Sequence, residues 1–298
     1  MWFKNLQIYR LPQNLSFDLE TLETSLSGQP LRPCGNSEMQ CAGWVPPRDG
    51  GAFVHAVNRQ WLLALGVEQR LLPTSIVRRV ADERAKAIEE AEGRRVGRRE
   101  LRDLREATAS ELMPRAFVAR RTIYGWVDPI NGWLVIDAAS PAKAEVFLEQ
   151  LRKSAEGFPA ALLKTPSSPS AAMTGWIADG EAPSGFSIDQ DIELRSAENA
   201  VIRYARHSLE GKEIGQHIAD GKVVTRLGLT WNERIAFVFD DKLQVKRLEF
   251  LDIIKEEAEN QGDNEDERFD LDFALMSGEL ARLLDDLVEA LGGELPAA

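Results

Sequence analysis

Between Thr74 and Met113 the chain contains no proline and is dominated by Ala, Arg, Glu and Leu. Those residues favour helix, so the stretch is predicted helical, while short apolar segments on either side read as strands. The pattern excludes an all-helical or all-β chain and predicts an α+β fold with a helical arm. Taken as Ser75–Arg121, the arm holds 13 Lys+Arg against 9 Asp+Glu, a local charge of +4. The whole chain holds 36 against 48, which leaves −16 for everything outside the arm. A basic arm on an acidic body suits contact with a polyanion that the body repels. At about 100° per residue, Arg94, Arg98, Arg102 and Arg105 share one helix face, with Leu101 and Leu104 forming a thin apolar seam along one border of it. Gly93 and Gly97 each weaken a helix by ~1 kcal/mol relative to Ala, so one bent rod and two separate helices both fit. A solvated face laced with pairs such as Glu90–Arg94 accounts equally well for the charge.

The 298 residues allow one large or two ordinary domains, and 44% hydrophobic with 28% charged residues is the composition of a soluble globular chain. No apolar run approaches the ~20 residues of a membrane span, and MWFKNLQIYRLP lacks a secretory core. Cys34 and Cys41 form no zinc pattern and are expected as free thiols in a reducing cytoplasm. The net charge of −12 argues against indiscriminate coating of nucleic acid but leaves room for an enclosed basic surface.

Local signals divide the chain into five parts. Residues 1–74 read as the N-terminal part of a central body. A strand lies within Trp2–Leu11, a helix over Leu15–Leu26 with Ser16 as its N-cap, and an irregular GWVPP segment at Gly43–Pro47. A hairpin turns at Asn58-Arg59. Residues 75–121 are the arm. Residues 122–160 hold two strands around Asp128–Gly132 and a helix with Ser140 at the N-cap and Pro141 at N1. Residues 161–250 open with a linker-like stretch to Ala172. They continue with a helix from Met173, short strands, a helix starting at Ser208, and a hairpin at Asn232-Glu233 followed by a third strand. Residues 251–298 comprise an acidic segment, Ile253–Arg268, and an apolar-faced helix, Phe269–Leu291.

No chemistry-bearing motif emerges. Gly-x-x-x-x-Gly-Lys-Ser/Thr, Gly-x-Gly-x-x-Gly, His-Glu-x-x-His and the calcium-loop pattern are all absent, so neither an enzyme nor a cofactor or metal is expected. His55 lies in an apolar strand, as a structural histidine does. The second basic concentration is Val201–Arg226, with Arg203, Arg206, Lys212, Lys222 and Arg226 alongside His207, against Glu210, Glu213 and Asp220. Tyr204 stands there without a stacking partner, so nucleic-acid contact would run to the backbone, with little sequence preference. A protein-interaction scaffold whose arm binds a partner, and a metal-dependent nuclease, are the competing classes.

A series of segments occurs in order along the chain: WFKNLQIYRL, PCG, GWVPP, LLPTSIV, PRAF, WVDPINGWLVIDAAS, LRKS, GKVVTRLGLTW and MSGELARLLDDLVEALGGE. Together they resemble the bacterial recombination-associated protein RdgC family, end to end. The resemblance implies a non-enzymatic DNA-binding protein. Its horseshoe-shaped subunit would have antiparallel sheets and a projecting helical arm, and would close head-to-head and tail-to-tail into a ring-shaped homodimer. Duplex DNA would pass through a basic hole, single strands would also bind, and the recombinase RecA would be restrained by competition for DNA. The implied location is the cytoplasm, on the nucleoid, with no membrane contact. By motif, Phe117 would be the aromatic of the dimer gate with Arg115 beside it. Arg206, His207, Lys222 and Arg226 would contact DNA, with His207 standing where the family can carry Gln. Arg203, Arg94 and Arg98 join them as candidates on charge.

Overall fold

The computed structural model describes residues 1–12, 15, 17–209, 211–254 and 264–295. The first half of the chain runs β1 (Leu6–Arg10), α1 (Leu19–Ser27), β2 (Gln40–Val45), β3 (Val54–Val57) and β4 (Gln60–Leu71). Helices α2 (Thr74–Glu92) and α3 (Arg98–Leu112) follow, then a 3-10 turn at Met113–Arg115 and β5 (Phe117–Asp128). β6 (Trp133–Asp137), α4 (Pro141–Ser154) and the short β7 (Ala161–Leu162) complete this half. The second half runs α5 (Pro169–Asp179), β8 (Phe186–Arg195), β9 (Val201–Tyr204), α6 (Lys212–Ala219) and β10 (Val223–Trp231). It ends with β11 (Ile235–Asp240), β12 (Gln244–Phe250) and α7 (Glu265–Ala290).

The fold is α+β, with the strands joined in one twelve-stranded sheet of order β2-β4-β5-β6-β1-β12-β11-β10-β8-β9, where β3 adds to β4 and β7 to β1. Its ladders are antiparallel. β1 sits at the centre. It pairs with β6 from Leu6↔Asp137 to Arg10↔Trp133, and with β12 at Leu6↔Val245 and Gln7↔Gln244.

Strand alternation sends successive side chains to opposite faces, and the two faces carry two cores. Leu6, Ile8, Trp133 and Val135 pack into a core with Phe273, Met276, Leu280 and Leu284 of α7 and the inner face of β8–β12. Tyr9, Leu11, Leu134 and Ile136 pack oppositely, with Leu22 and Leu26 of α1 and Phe147, Leu148 and Leu151 of α4. A strand buried on both faces must be mainly apolar, and β1 and β6 are, with the charged Arg10 and Asp137 at half-buried strand ends. The fully buried polar residue, Gln7, donates from Nε2 to Ala138 O at 3.0 Å.

The arm is two helices. Gly93 adopts φ 62° and caps α2, its N–H donating to Glu89 O, and Gly97 precedes α3. Ala81 and Ala85 of α2 and Thr108 of α3 are the arm's buried residues, and Arg84 reaches both Thr108 and Glu111. The strands that flank the arm pair from Leu71↔Phe117 through to Trp61↔Val127. The arm is therefore the connection of one long hairpin. Both two-residue turns foreseen elsewhere form with left-handed residues, Asn58-Arg59 and Asn232-Glu233, as tight hairpins require.

Several local expectations are corrected. Asp18, accepting from Thr21 N, caps α1; the expected cap Ser16 lies outside the described residues. Gly43–Val45 is strand, and an added Cβ at Gly43 would lie 2.4 Å from Leu31 Cα, so close strand–loop contact requires glycine there. The linker-like stretch already holds the start of α5, capped by Ser168 with Pro169 at its first turn. Helix α6 begins at Lys212, so Ser208 offers no helix N-terminus. Arg94 pairs with Glu92 and Glu100. Cys34 and Cys41 are joined in a disulfide. Most of the expected acidic segment, residues 255–263, lies outside the described residues.

Gly125 on β5 faces α4, and an added Cβ would stand 2.4 Å from Phe147 Cζ. Gly125→Ala is expected to cost about 1–3 kcal/mol through overpacking. A urea unfolding midpoint equal to that of the parent chain would contradict this packing.

Candidate nucleic-acid interface

The face of β8–β12 opposite α7 carries a ladder of charge. Strand register sets Arg203 of β9 opposite Glu193 of β8, Glu193 opposite Arg226 of β10, and Arg226 opposite Asp240 of β11. Lys246 of β12 completes it, with Nζ 2.8 Å from Asp240 Oδ2. The sign alternates from strand to strand, so each cross-strand neighbour is attractive. Depth differs as well. Glu193 and Asp240 are buried, while Arg203 and Arg226 extend into solvent. The acids form the floor and the cations the surface that a ligand meets.

Glu193 is the hub. Its side chain is only 4% exposed and meets Arg203 Nε at 2.7 Å, Thr225 Oγ1 at 2.9 Å, Arg226 Nη1 at 3.5 Å and Arg195 Nη2 at 3.5 Å. Burial alone would raise its pKa, but the bonds from Arg203 and Thr225 and the charges of Arg226 and Arg203 outweigh it and hold the carboxyl below its ordinary range. A register shift between Val224 and Arg226 places Thr225 and Arg226 side by side against the same carboxylate.

A second irregularity, between Ala236 and Val238, puts an extra residue into β12 at Arg247, which adopts φ 51°. Arg206, just past β9, also adopts a left-handed φ of 53°. Both turn to one acid: Arg206 N donates to Asp191 Oδ1 at 3.0 Å, and Arg247 Nη1 lies 3.6 Å from Asp191 Oδ2. Two bulky residues held in this sparse region mark a place where the surroundings dictate the backbone. Beside Arg247 opens a cleft of about 180 Å³, lined by Arg203, Tyr204, Arg226, Lys246 and Arg247 over Glu193 and Asp191. Guanidinium groups so placed can donate to anionic oxygens such as those of a phosphate.

Of the residues singled out in the sequence, Arg203 and Arg226 meet on this face, while Arg206 borders it through its backbone N–H alone and does not line the cleft. Lys222 does not line the cleft; it is largely covered and lies 3.9 Å from Asp220. His207 turns to Glu213, 3.4 Å away, and Tyr204 is not isolated: its ring lies 5.2 Å from that of His207, and its hydroxyl is 3.1 Å from His217 Nε2. Arg94 is tied to Glu92 and Glu100 at the bend of the arm, whereas Arg98 makes no ion pair among the described residues. Arg115 and Phe117 sit where the arm returns to the sheet, and Phe117 is 84% exposed beside exposed Val118 and Leu71. Glu193, Arg195, Asp240, Lys246 and Arg247 were missed. The alternating acids of DQDIE on β8 and the basic pair Lys246-Arg247 are visible in the sequence, but their meeting depends on pairing across five strands.

Among the described residues, the one set of three His, Cys, Asp or Glu ligand atoms within 4.8 Å of one another is Cys34, Cys41 and Glu68, whose sulfurs are bonded together. The acids of the open face are engaged by arginine, lysine and threonine. Among the described residues, no helix is long and apolar enough to cross a membrane.

A carboxyl with a lowered folded-state pKa contributes stability above its unfolded value, lost as pH falls through the folded one. The stabilisation by Glu193 is thus complete above about pH 4.5 and declines below it. Glu193→Gln is expected to lower stability at pH 7 by about 1–2 kcal/mol, a modest figure because the arginine partners are solvent-screened. The variant should also lose part of the acid-side decline. Urea denaturation from pH 3 to pH 7 checks both; parallel curves for the two proteins would remove Glu193 from its role as hub.

Comparison with known proteins places these features in a family. Residues 1–294 match the family model described as "Putative exonuclease, RdgC". A recombination-associated protein RdgC of Dechloromonas aromatica is 52% identical, with the whole of both chains covered. Those of Herminiimonas arsenicoxydans, covering 99% of each chain, and Cupriavidus pinatubonensis, covering both chains fully, are each 49% identical. The match runs the length of the sheet, from the central strand β1 through the arm to α7, and the chain belongs to the recombination-associated RdgC family.

Proposed function

We propose that this chain binds DNA without sequence specificity, as a ring-shaped homodimer around the duplex, and modulates homologous recombination by restraining RecA through competition for DNA. The observation that carries the reading is the charge ladder. Its buried acids hold two exposed arginines and a half-buried lysine in a row on an open sheet face, in a chain whose net charge is −12. Guanidinium groups fixed by carboxylates beneath them offer their outer N–H groups to phosphate oxygens and read no base edges. The acidic remainder of the surface repels DNA and confines it to that face. A ring adds retention by topology, so that few phosphate contacts suffice.

Ring closure would use the exposed apolar group of Phe117, Val118 and Leu71 at the root of the arm. Such side chains gain most when a second subunit covers them. Each subunit would form a horseshoe, with the arms of two copies meeting. Single-stranded DNA would use the same face, and the protein would act in the cytoplasm, on the nucleoid.

Binding to labelled duplex of random sequence should weaken with salt at roughly −0.9 log units per neutralised phosphate for each log unit of salt. Replacing Arg203 and Arg226 together by Ala should weaken binding to all sequences alike and flatten the slope by roughly 1 for each phosphate that is no longer neutralised. Unaltered affinity and slope would refute the assignment of this face. Incubation with magnesium should leave the DNA intact; cleavage that survives further purification would favour a nuclease.

Phe117→Ala removes an exposed ring, so its unfolding midpoint should equal the parent's, while dimer dissociation and loss from closed circular duplex both speed up. Sedimentation and retention on circular against linear DNA measure this. Wild-type retention by the variant would defeat the gate role.

A further inference from the structure

The loop between α1 and β2 is tied by the Cys34–Cys41 disulfide, with Cα atoms 5.4 Å apart. Both cysteines are half-buried at the surface, within reach of a small reagent. One side chain joins this loop to the turn at the root of the arm. Arg70, at the end of β4, is 8% exposed. Its Nη2 donates to Cys34 O at 3.3 Å and Gly35 O at 3.4 Å, and its Nη1 donates to Met113 O at 3.0 Å and Pro114 O at 3.4 Å. Its backbone N–H donates to Met39 O in the same loop at 2.8 Å. A buried guanidinium thus spans the disulfide loop and the turn Met113–Arg115, while the next residue, Leu71, pairs with Phe117.

We propose that Cys34–Cys41 is a thiol–disulfide exchange site, served by dithiol reductants, whose state sets how firmly the turn leading to Phe117 is held. A reductant thiolate attacks one sulfur, the S–S bond breaks, and the released cysteine thiolate takes up a proton. The reductant's second thiol then displaces the mixed disulfide. Two electrons and two protons end on Cys34 and Cys41, and the reductant leaves as its own disulfide. Both thiols would have acceptors in place: Cys34 Sγ lies 3.6 Å from Glu68 O and Cys41 Sγ lies 3.4 Å from Arg32 O. The reduced loop is therefore accommodated, but it is no longer covalently closed. The carbonyls of Cys34 and Gly35 then lose their fixed positions, and Arg70, as a buried cation short of acceptors, draws in water or shifts. The turn at Met113–Pro114 hangs on the other side of that same guanidinium.

The coupling stands on the fold alone; its consequence for DNA retention rests on the function proposed above. The test is amide hydrogen exchange of the full chain, oxidised and after dithiothreitol, without DNA. Amides of residues 112–118 should exchange faster after reduction, by about tenfold, as expected when one hydrogen bond to a charged group is removed. The central strands β1 and β6 should not change. The double variant Cys34→Ser with Cys41→Ser should show the fast rate with or without dithiothreitol. Equal exchange of residues 112–118 in oxidised and reduced protein would overturn the proposal, as would an equal acceleration by dithiothreitol in the double variant. Retention on circular duplex is measured in parallel. Failure of both forms to bind DNA would refute the function and leave the exchange result standing on its own.

Discussion

Everything in this chain hangs on β1 pairing to both sides. Five residues near the N-terminus pair with β6 on one flank, and two of them, Leu6 and Gln7, pair on the other with β12, more than two hundred residues later. Remove that strand and the sheet separates into two halves, each with a raw edge and an opened core. The requirement explains the strand's composition: a position buried on both faces tolerates a polar side chain only where its hydrogen bonds are met, as Gln7 meets Ala138 O. It also makes folding strongly non-local, since the two halves must exist before the strand between them is rewarded.

The continuous sheet also allows an acidic chain to present a basic face. On the side of β8–β12 turned from α7, charges oppose one another across strands, and geometry sorts them by depth. Short, buried carboxylates form the floor, and long cations rise from it with their heads in water. Two strand irregularities, one of them at the left-handed Arg247, crowd more cations onto this face than regular alternation would allow. Net charge says little about such a surface, because the acids that balance it are covered.

The arm has a different logic. As the connection between β4 and β5, it transmits its orientation to the sheet through the outermost pairs of that ladder and through Arg70. Its helices hold together by small buried residues and surface ion pairs rather than by a core, and Phe117 stands exposed where they rejoin the strand. Of the arm's thirteen basic side chains, Arg84, Arg94 and Arg105 are engaged internally, by Glu111, by Glu92 and Glu100, and by Asp82 respectively.

Local chemistry alone determined a good deal. The α+β class, the two-residue turns at Asn58-Arg59 and Asn232-Glu233, the helix start at Ser140-Pro141 and the basic residues around Arg203 all follow from dihedral preference, capping and charge within a few residues. The start of α5 inside a Ser/Pro-rich stretch was hidden because the residues that cap helices also build loops. Tertiary structure alone decided that β1 lies at the centre, that Glu193 gathers arginines from three strands, that Lys246 and Arg247 share a cleft with Arg203, and that Cys34 meets Cys41. The reason is common to all four. Which strands become neighbours, and in what register, is settled by burial summed over the whole chain, and no stretch of sequence contains that sum.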